Sequence, residues 1–256
     1  GYGGPGSTLA GNGSSSVSSS LSSGVKDIYA LKHMGSGSSG AFAALKTDGS
    51  VVTWGKTDRG GDSSNVSASL TSGVIKIYST ERAFAVIKDD GTVITWGDSS
   101  YGGDSSSVSS SLTSGVSKIY SNNTAFAALK ADGSLITWGN SSNGGNSSSV
   151  SSSLASGVKK VFPNYYAFAA LKTDGSLVTW GNSSYGGSLT SPINVSSAVA
   201  SGVTEIHSTK YAFAALKSDG SVITWGSSYY GGNSSSVRSD LASGVTKIYS
   251  TASAFA

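Results

Sequence analysis

Cysteine is absent from the chain, which excludes disulfide staples and thiolate metal sites and leaves packing to hold the fold together. Charge is scarce as well: 12% of residues are Asp, Glu, Lys or Arg, and the net charge of +3 is spread along the sequence. So weak a field does little to steer nucleic acid or anionic lipid, and neither is an expected partner. Histidine occurs only twice, too seldom to build an acid–base centre without other titratable groups around it. No apolar run approaches the roughly 20 residues that cross a bilayer. The first 20 residues lack the charged head and apolar core of a signal peptide, and a soluble chain is expected.

What is present is repetition. Glycine and serine would suggest disorder, but Val, Ile, Leu, Phe and Trp interrupt them at fixed places. Thr-Trp-Gly recurs at Trp54, Trp96, Trp138, Trp180 and Trp225, with spacings of 42, 42, 42 and 45. Ser-Gly-Val ends at Val25, Val74, Val116, Val158, Val203 and Val245, and Ala-Phe-Ala begins at Ala41, Ala83, Ala125, Ala167, Ala212 and Ala254. A 42-residue unit is too small to bury its own core, so residues 1–256 are expected to form one repeat domain whose units stabilise each other.

Within a unit three short β-rich runs appear, ending in Tyr120, Lys130 and Gly139 in the third copy. The Asp-Gly pairs at Asp48, Asp90, Asp132, Asp174 and Asp219 predict a hairpin between the second and third runs, with the type I′ turn that such pairs favour. Ala-Phe-Ala-Ala-Leu is apolar at every position, as expected of small sheets stacked face to face with small side chains against large ones. The tryptophan strands are expected to feed a shared interior. After each Gly-Gly a serine-rich segment reads as a two-turn helix: Asp104 caps it, Val108 and Leu112 share a face, and Gly115 stops it.

This order of apolar run, Asp-Gly turn and Trp-Gly strand end resembles the repeat of the regulator of chromosome condensation family, over every unit. The resemblance implies an all-β fold, a β-propeller, here with six blades of three to four short strands and a short helix in the serine-rich segment. The units are shorter than that family's, and Gly-Gly in a serine-rich stretch replaces its Gly-Gln-Leu-Gly. Nucleotide exchange and chromatin binding belong to particular members and are not carried over. The termini fall inside one blade. Closure of the ring as a monomer, with that blade one strand short, is favoured over pairing of its edge with a second copy and over a linear solenoid. Residues 33–40 (His-Met-Gly-Ser-Gly-Ser-Ser-Gly) read as an engineered linker at a cloning junction, and the first residues as a tag remnant. Residues 191–194 are ordinary loop variation.

Chemistry has few footholds. His33 falls in the linker and His207 takes the place of Tyr78, Tyr120, Phe162 and Tyr249, an aromatic substitute rather than a base. Asp62 and Asp104 could touch calcium, but Asn146, Ser188 and Asn233 stand there in other units, and capping accounts for all five. Lys46, Lys88, Lys130, Lys172 and Lys217 sit two residues from a turn Asp, so local pairing is preferred over an anion-binding ring. No enzyme, metal or cofactor is expected.

Two loops vary while their surroundings stay fixed: the one before Ala-Phe-Ala and the one after Trp-Gly. The hairpin places both at one rim, opposite the Asp-Gly turn. Their Tyr, Ser and Asn composition resembles that of adaptable binding loops, and Arg59, Arg82, Tyr101, Tyr165, Tyr166, Tyr185, Tyr211, Tyr229 and Tyr230 are the candidate contacts. Drift of exposed loops accounts for the same variation. The reading is a non-enzymatic binding or display scaffold of extracellular bacterial origin, its partner a protein or a glycan. The alternative is a structural or engineered repeat that closes or assembles with no ligand.

Overall fold

The computed structural model describes residues 17–32, 40–190 and 194–256. Among these, fifteen strands form five three-stranded antiparallel sheets, each a meander in chain order. The inner strands are Val25–Ala30, Val74–Ser79, Val116–Ser121, Val158–Pro163 and Val203–Ser208. Ala41–Lys46, Ala83–Lys88, Ala125–Lys130, Ala167–Lys172 and Ala212–Lys217 are the middle strands, and Val51–Gly55, Val93–Gly97, Leu135–Gly139, Leu177–Gly181 and Val222–Gly226 the outer ones. A sixth unit, residues 245–256, contributes a bridge between Ser250 and Phe255.

Why the first five positions of the middle strand are all apolar follows from strand alternation. Ala83, Ala85 and Ile87 point to one face and join Phe126 and Trp138 of the next unit in one buried cluster. Phe84 and Val86 point to the other face and join Ala41, Ala43 and Leu45 of the preceding unit. The same seam recurs between the third and fourth and the fourth and fifth units. Alanines on one blade thus receive the Phe–Trp pair of the next, the small-against-large packing the sequence predicts.

Trp96, Trp138, Trp180 and Trp225 each belong to a seam and not to a common central interior, which corrects the expectation above. Phe126 lies directly opposite Trp138 in the strand register and stacks on it at 5.2 Å. The Trp138 indole donates to the carbonyl of Gly102 in the preceding unit at 3.1 Å, and Trp96, Trp180 and Trp225 do likewise to Gly60, Gly144 and Gly186. The carbonyl must reach the indole from a tight turn. Gly102 provides it at φ +92, where a side chain would strike Phe126 at 2.6 Å.

The Asp-Gly turn also differs from expectation. Lys130 N–H donates to the Ser134 carbonyl and Gly133 N–H to the Lys130 carbonyl, so three residues separate the paired ends. That is a type I turn followed by a left-handed glycine, a three-residue loop with a bulge in place of a two-residue type I′ turn. Asp132 accepts from the Ser134 hydroxyl at 2.6 Å and from its N–H at 2.9 Å. These bonds hold its carboxyl below the usual carboxylate range, as equivalent bonds do for Asp48, Asp90, Asp174 and Asp219.

A carboxyl whose pKa is depressed on folding stabilises the fold above its unfolded value, and that contribution is lost as pH falls through the folded value. Stability should therefore be level from neutral pH to about pH 5 and fall below about pH 4, with Asp132→Asn flattening the acid limb. Denaturant midpoints across that range test this; a midpoint unmoved down to pH 3 would refute the coupling.

The serine-rich segments are largely 3-10 helix, as at Ser64–Leu70 and Ser106–Leu112, with one α-helical turn at Ser151–Leu154. Serine is a modest α-helix former, and so short a helix depends on packing; Leu70, Leu112 and Leu154 supply it from the buried seams. Asp104 accepts the Ser106 N–H at 2.8 Å in an Asx turn one residue before the N-cap position, which is Ser105 and not the expected Asp104, and Gly115 follows the segment at φ +73. Three of the middle-strand lysines turn to its far end. Lys88 and Lys130 donate to the carbonyls of Ser69 and Ser111 at 3.2 Å, and Lys172 to that of Ser153. Lysines near a helix end can satisfy its last carbonyls, so Lys88, Lys130 and Lys172 cap the segment, and their charge also helps hold the neighbouring turn Asp carboxyls down.

Each of the five inner strands touches the inner strand of the unit that follows or precedes it in the chain. The third residue after each inner aromatic, namely Lys32, Glu81, Asn123, Tyr165, Lys210 and Ala252, occupies one equivalent place in all six units. Backbone N–H groups link these places in series, Glu81 to Asn123, Asn123 to Tyr165, Tyr165 to Lys210 and Lys210 to Ala252, at 2.9 to 3.2 Å. Lys32 of the first unit and Ala252 of the sixth line the same cavity. Units that were stacked in a line could not bring those two together. The sheets radiate from an axis: the fold is a β-propeller. His207 keeps the register of its aromatic counterparts, facing Ala214 as Tyr120 faces Ala127, with Glu205 3.2 Å away. Residues 33–39 of the linker reading and the first residues lie outside the described residues, as do residues 191–193.

Candidate binding rim

The two variable loops of each unit meet at one rim, as the hairpin requires. Ala83 pairs with Gly97, and Asp98 N–H donates to the Arg82 carbonyl at 2.9 Å. Asn140, Asn182 and Ser227 repeat that bond to Thr124, Tyr166 and Tyr211. A buried polar side chain pins the neighbouring loop to it in each case. Asn122 and Asn164 donate to the carbonyls of Asn143 and Tyr185 at 2.6 Å, and Thr80 and Thr209 to those of Tyr101 and Tyr230 at 2.9 Å. These four pins lie among the variable positions and are not among the candidate contacts read from the sequence. Their signal is the alternation of Thr and Asn at one place, both of which can also accept from a backbone N–H two or three residues on.

Five of the candidate residues converge. Tyr211 lies 4.5 Å from Tyr230, 4.7 Å from Tyr185, 5.3 Å from Tyr165 and 5.8 Å from Tyr166. Tyr166 also contacts Tyr185 at 5.6 Å and Tyr165 at 6.3 Å. The rings come from the fourth and fifth units and are all half-buried, leaving part of each to solvent. Burial pushes the Tyr166 and Tyr211 hydroxyls up, and neighbouring phenols and, for Tyr166, Glu81 add to it. They stay protonated as hydrogen-bond donors.

A second group forms beside the second unit, where the Arg82 guanidinium lies 4.7 Å over the Tyr101 ring and 3.8 Å from Asp98. The remaining two candidates are placed differently. Tyr229 is 91% exposed and, among the described residues, makes no ring contact with the cluster. Arg59 is half-buried in the first unit's 3-10 turn, Thr57–Arg59. For Asp62 and Asp104, each carboxylate accepts a backbone N–H two residues on, and no group of three or more metal-ligating side chains occurs among the described residues.

At the axis the rim dips into a cavity of about 430 Å³ lined in part by Lys32, Ser121, Asn123, Tyr165, Lys210 and Thr251. Lys32 donates to the Ser121 carbonyl. Lys210 sits 5.6 Å over the Tyr165 ring, and Asn123 donates to Glu81 Oε1 at 2.8 Å.

In strand order, Asp-Gly turn and Trp-Gly strand end, each blade matches the regulator of chromosome condensation type of repeat that the sequence resembles. No family model and no curated protein matches the sequence. Solved structures similar to it include human WBSCR16, at 20% identity and a TM-score of 0.45, covering 73% of this chain and 59% of that one. Prp20p from Saccharomyces cerevisiae is similar at 16% identity and a TM-score of 0.45, covering 73% and 55%. The computationally designed Ika8 protein is similar at 13% identity and a TM-score of 0.35, covering 73% and 55%. The chain spans little more than half the length of each of these structures.

Proposed function

We propose that this repeat scaffold is a non-enzymatic binding protein whose variable rim takes a carbohydrate, with the tyrosines of the fourth and fifth blades as its platform. The observation that supports it is the convergence of Tyr165, Tyr166, Tyr185, Tyr211 and Tyr230 around one ring, Tyr211. Half-buried phenols offer flat apolar faces for the axial C–H groups of a pyranose, and their hydroxyls offer hydrogen bonds at low entropic cost. The loops that carry them are fixed by the buried Asn and Thr pins, so little order has to be gained on binding.

A glycan array should return a restricted set of sugars, and Tyr211→Ala, which removes the ring touching the other four, should weaken the best of them about tenfold. Tyr229→Ala should leave binding unchanged. An array silent at every spot, or a Tyr211→Ala chain that binds as the parent does, would sink the carbohydrate reading.

A further inference from the structure

Beyond the tyrosine platform, which it meets only at Tyr165, the axial cavity carries an inference of its own. We propose that it binds a small organic anion of about monosaccharide size, a carboxylate or phosphate ester held between the ammonium groups of Lys32 and Lys210. Its volume of about 430 Å³ exceeds what a bare ion fills and lies in the range of about 300–1,000 Å³ found for small-molecule sites.

Charge points the same way. Lys32 and Lys210 belong to the first and fifth units, each the third residue after its inner aromatic, and both line this one space. Neither takes part in an ion pair among the described residues. Lys32 donates to a neutral carbonyl, that of Ser121, and burial pushes its ammonium down to about 8. An anion in the cavity would offset that desolvation. The acid of the axial series, Glu81, is not among the lining residues, and the Asn123 amide engages it. Around the axis the exposed inner-strand positions carry Lys76, Lys118, Lys160 and Lys247 against Asp27 and Glu205. A chain with little net charge thus concentrates positive potential where its blades converge. Hydroxyl and amide groups of Ser121, Asn123 and Thr251 border the same space and suit a ligand with a polar body.

Calorimetry on the full chain with glucuronate, glucose 6-phosphate and glucose tests this. At least one anion should bind, with glucose weaker by about tenfold or more, and the better of the two anions tells carboxylate from phosphate. Lys210→Met and Lys32→Met should each weaken that anion by about tenfold, while Tyr229→Ala, outside both the cavity and the tyrosine platform, should not change it. Should Lys32→Met fail to fold by circular dichroism, Lys210→Met decides. Equal binding of glucose, no binding of either anion, or a Lys210→Met chain that binds as the parent does would overturn the assignment. The platform reading stands or falls separately, on Tyr211→Ala with neutral glycans.

Discussion

Gly103→Ala should cost more than about 4 kcal/mol and leave a chain of ordinary stability without cooperative folding. Gly103 is the second glycine of its Gly-Gly pair, and its N–H donates to the Asp98 carbonyl at 2.9 Å. A Cβ there would lie 2.2 Å from the Gly97 carbonyl oxygen and 2.4 Å from its carbon. Both atoms are backbone of the outer strand's end, so no side chain can rotate away and relief requires the strand to move. That strand end is paired with Ala83, buried in the next seam. Gly244→Ala is the control: its φ of +79 strains an alanine, but no atom lies within 4 Å of the added carbon, and the cost should stay at about 1–2 kcal/mol. Denaturant midpoints with near-ultraviolet circular dichroism compare the two. Gly103 has no left-handed φ of its own, so a destabilisation no larger than the control's would mean that the backbone contact relaxes easily and does not explain the second glycine.

The sequence made the blades legible because it states them repeatedly. Five Asp-Gly turns and five Trp-Gly ends in register fix which runs are strands and which loops share a rim, and any local ambiguity is averaged away. Where the outcome depended on one residue of count or on the reach of a side chain, the reading went astray. Asp-Gly suits both a type I′ turn and a type I turn with a bulge; only the pairing of Lys130 with Ser134 distinguishes them. The lysines before the turns are long enough to pass the neighbouring Asp and cap the serine-rich segment, which proximity in sequence does not reveal.

The rim divides similarly. Loop composition singles out Tyr165, Tyr166, Tyr185, Tyr211 and Tyr230, and the radial approach of the fourth and fifth blades makes them one cluster. Tyr229 and Tyr230 are adjacent and indistinguishable as letters; the 3-10 turn Ser228–Tyr230 turns one toward Tyr211 and leaves the other in solvent. The axial cavity was hidden for another reason. Lys32 precedes the extra residues of its unit, so its equivalence to Lys210 emerges only when position is counted from the inner aromatic.

Trp138→Ala should destabilise the chain by about 3–5 kcal/mol, the usual result of truncating a buried tryptophan. The ring is 2% exposed, stacks on Phe126 and packs against the alanines of the preceding blade. Trp138→Phe separates the contributions, because it keeps an aromatic face in the seam and loses the indole N–H. The buried Gly102 carbonyl, which accepts that N–H at 3.1 Å, would be left unpaired at about 1–3 kcal/mol. Tyr229→Ala, on the exposed rim, should change stability by no more than about 0.5 kcal/mol. If Trp138→Phe were as stable as the parent, the bond between blades would be incidental and packing alone would define the seam. The position also links the seam to the rim. Gly102 follows Tyr101, whose ring the Arg82 guanidinium covers and whose carbonyl accepts from Thr80. Release of the glycine by Trp138→Ala should loosen that part of the rim while the tyrosine cluster of the fourth and fifth blades, joined by its own seam through Trp225 and Gly186, keeps its geometry.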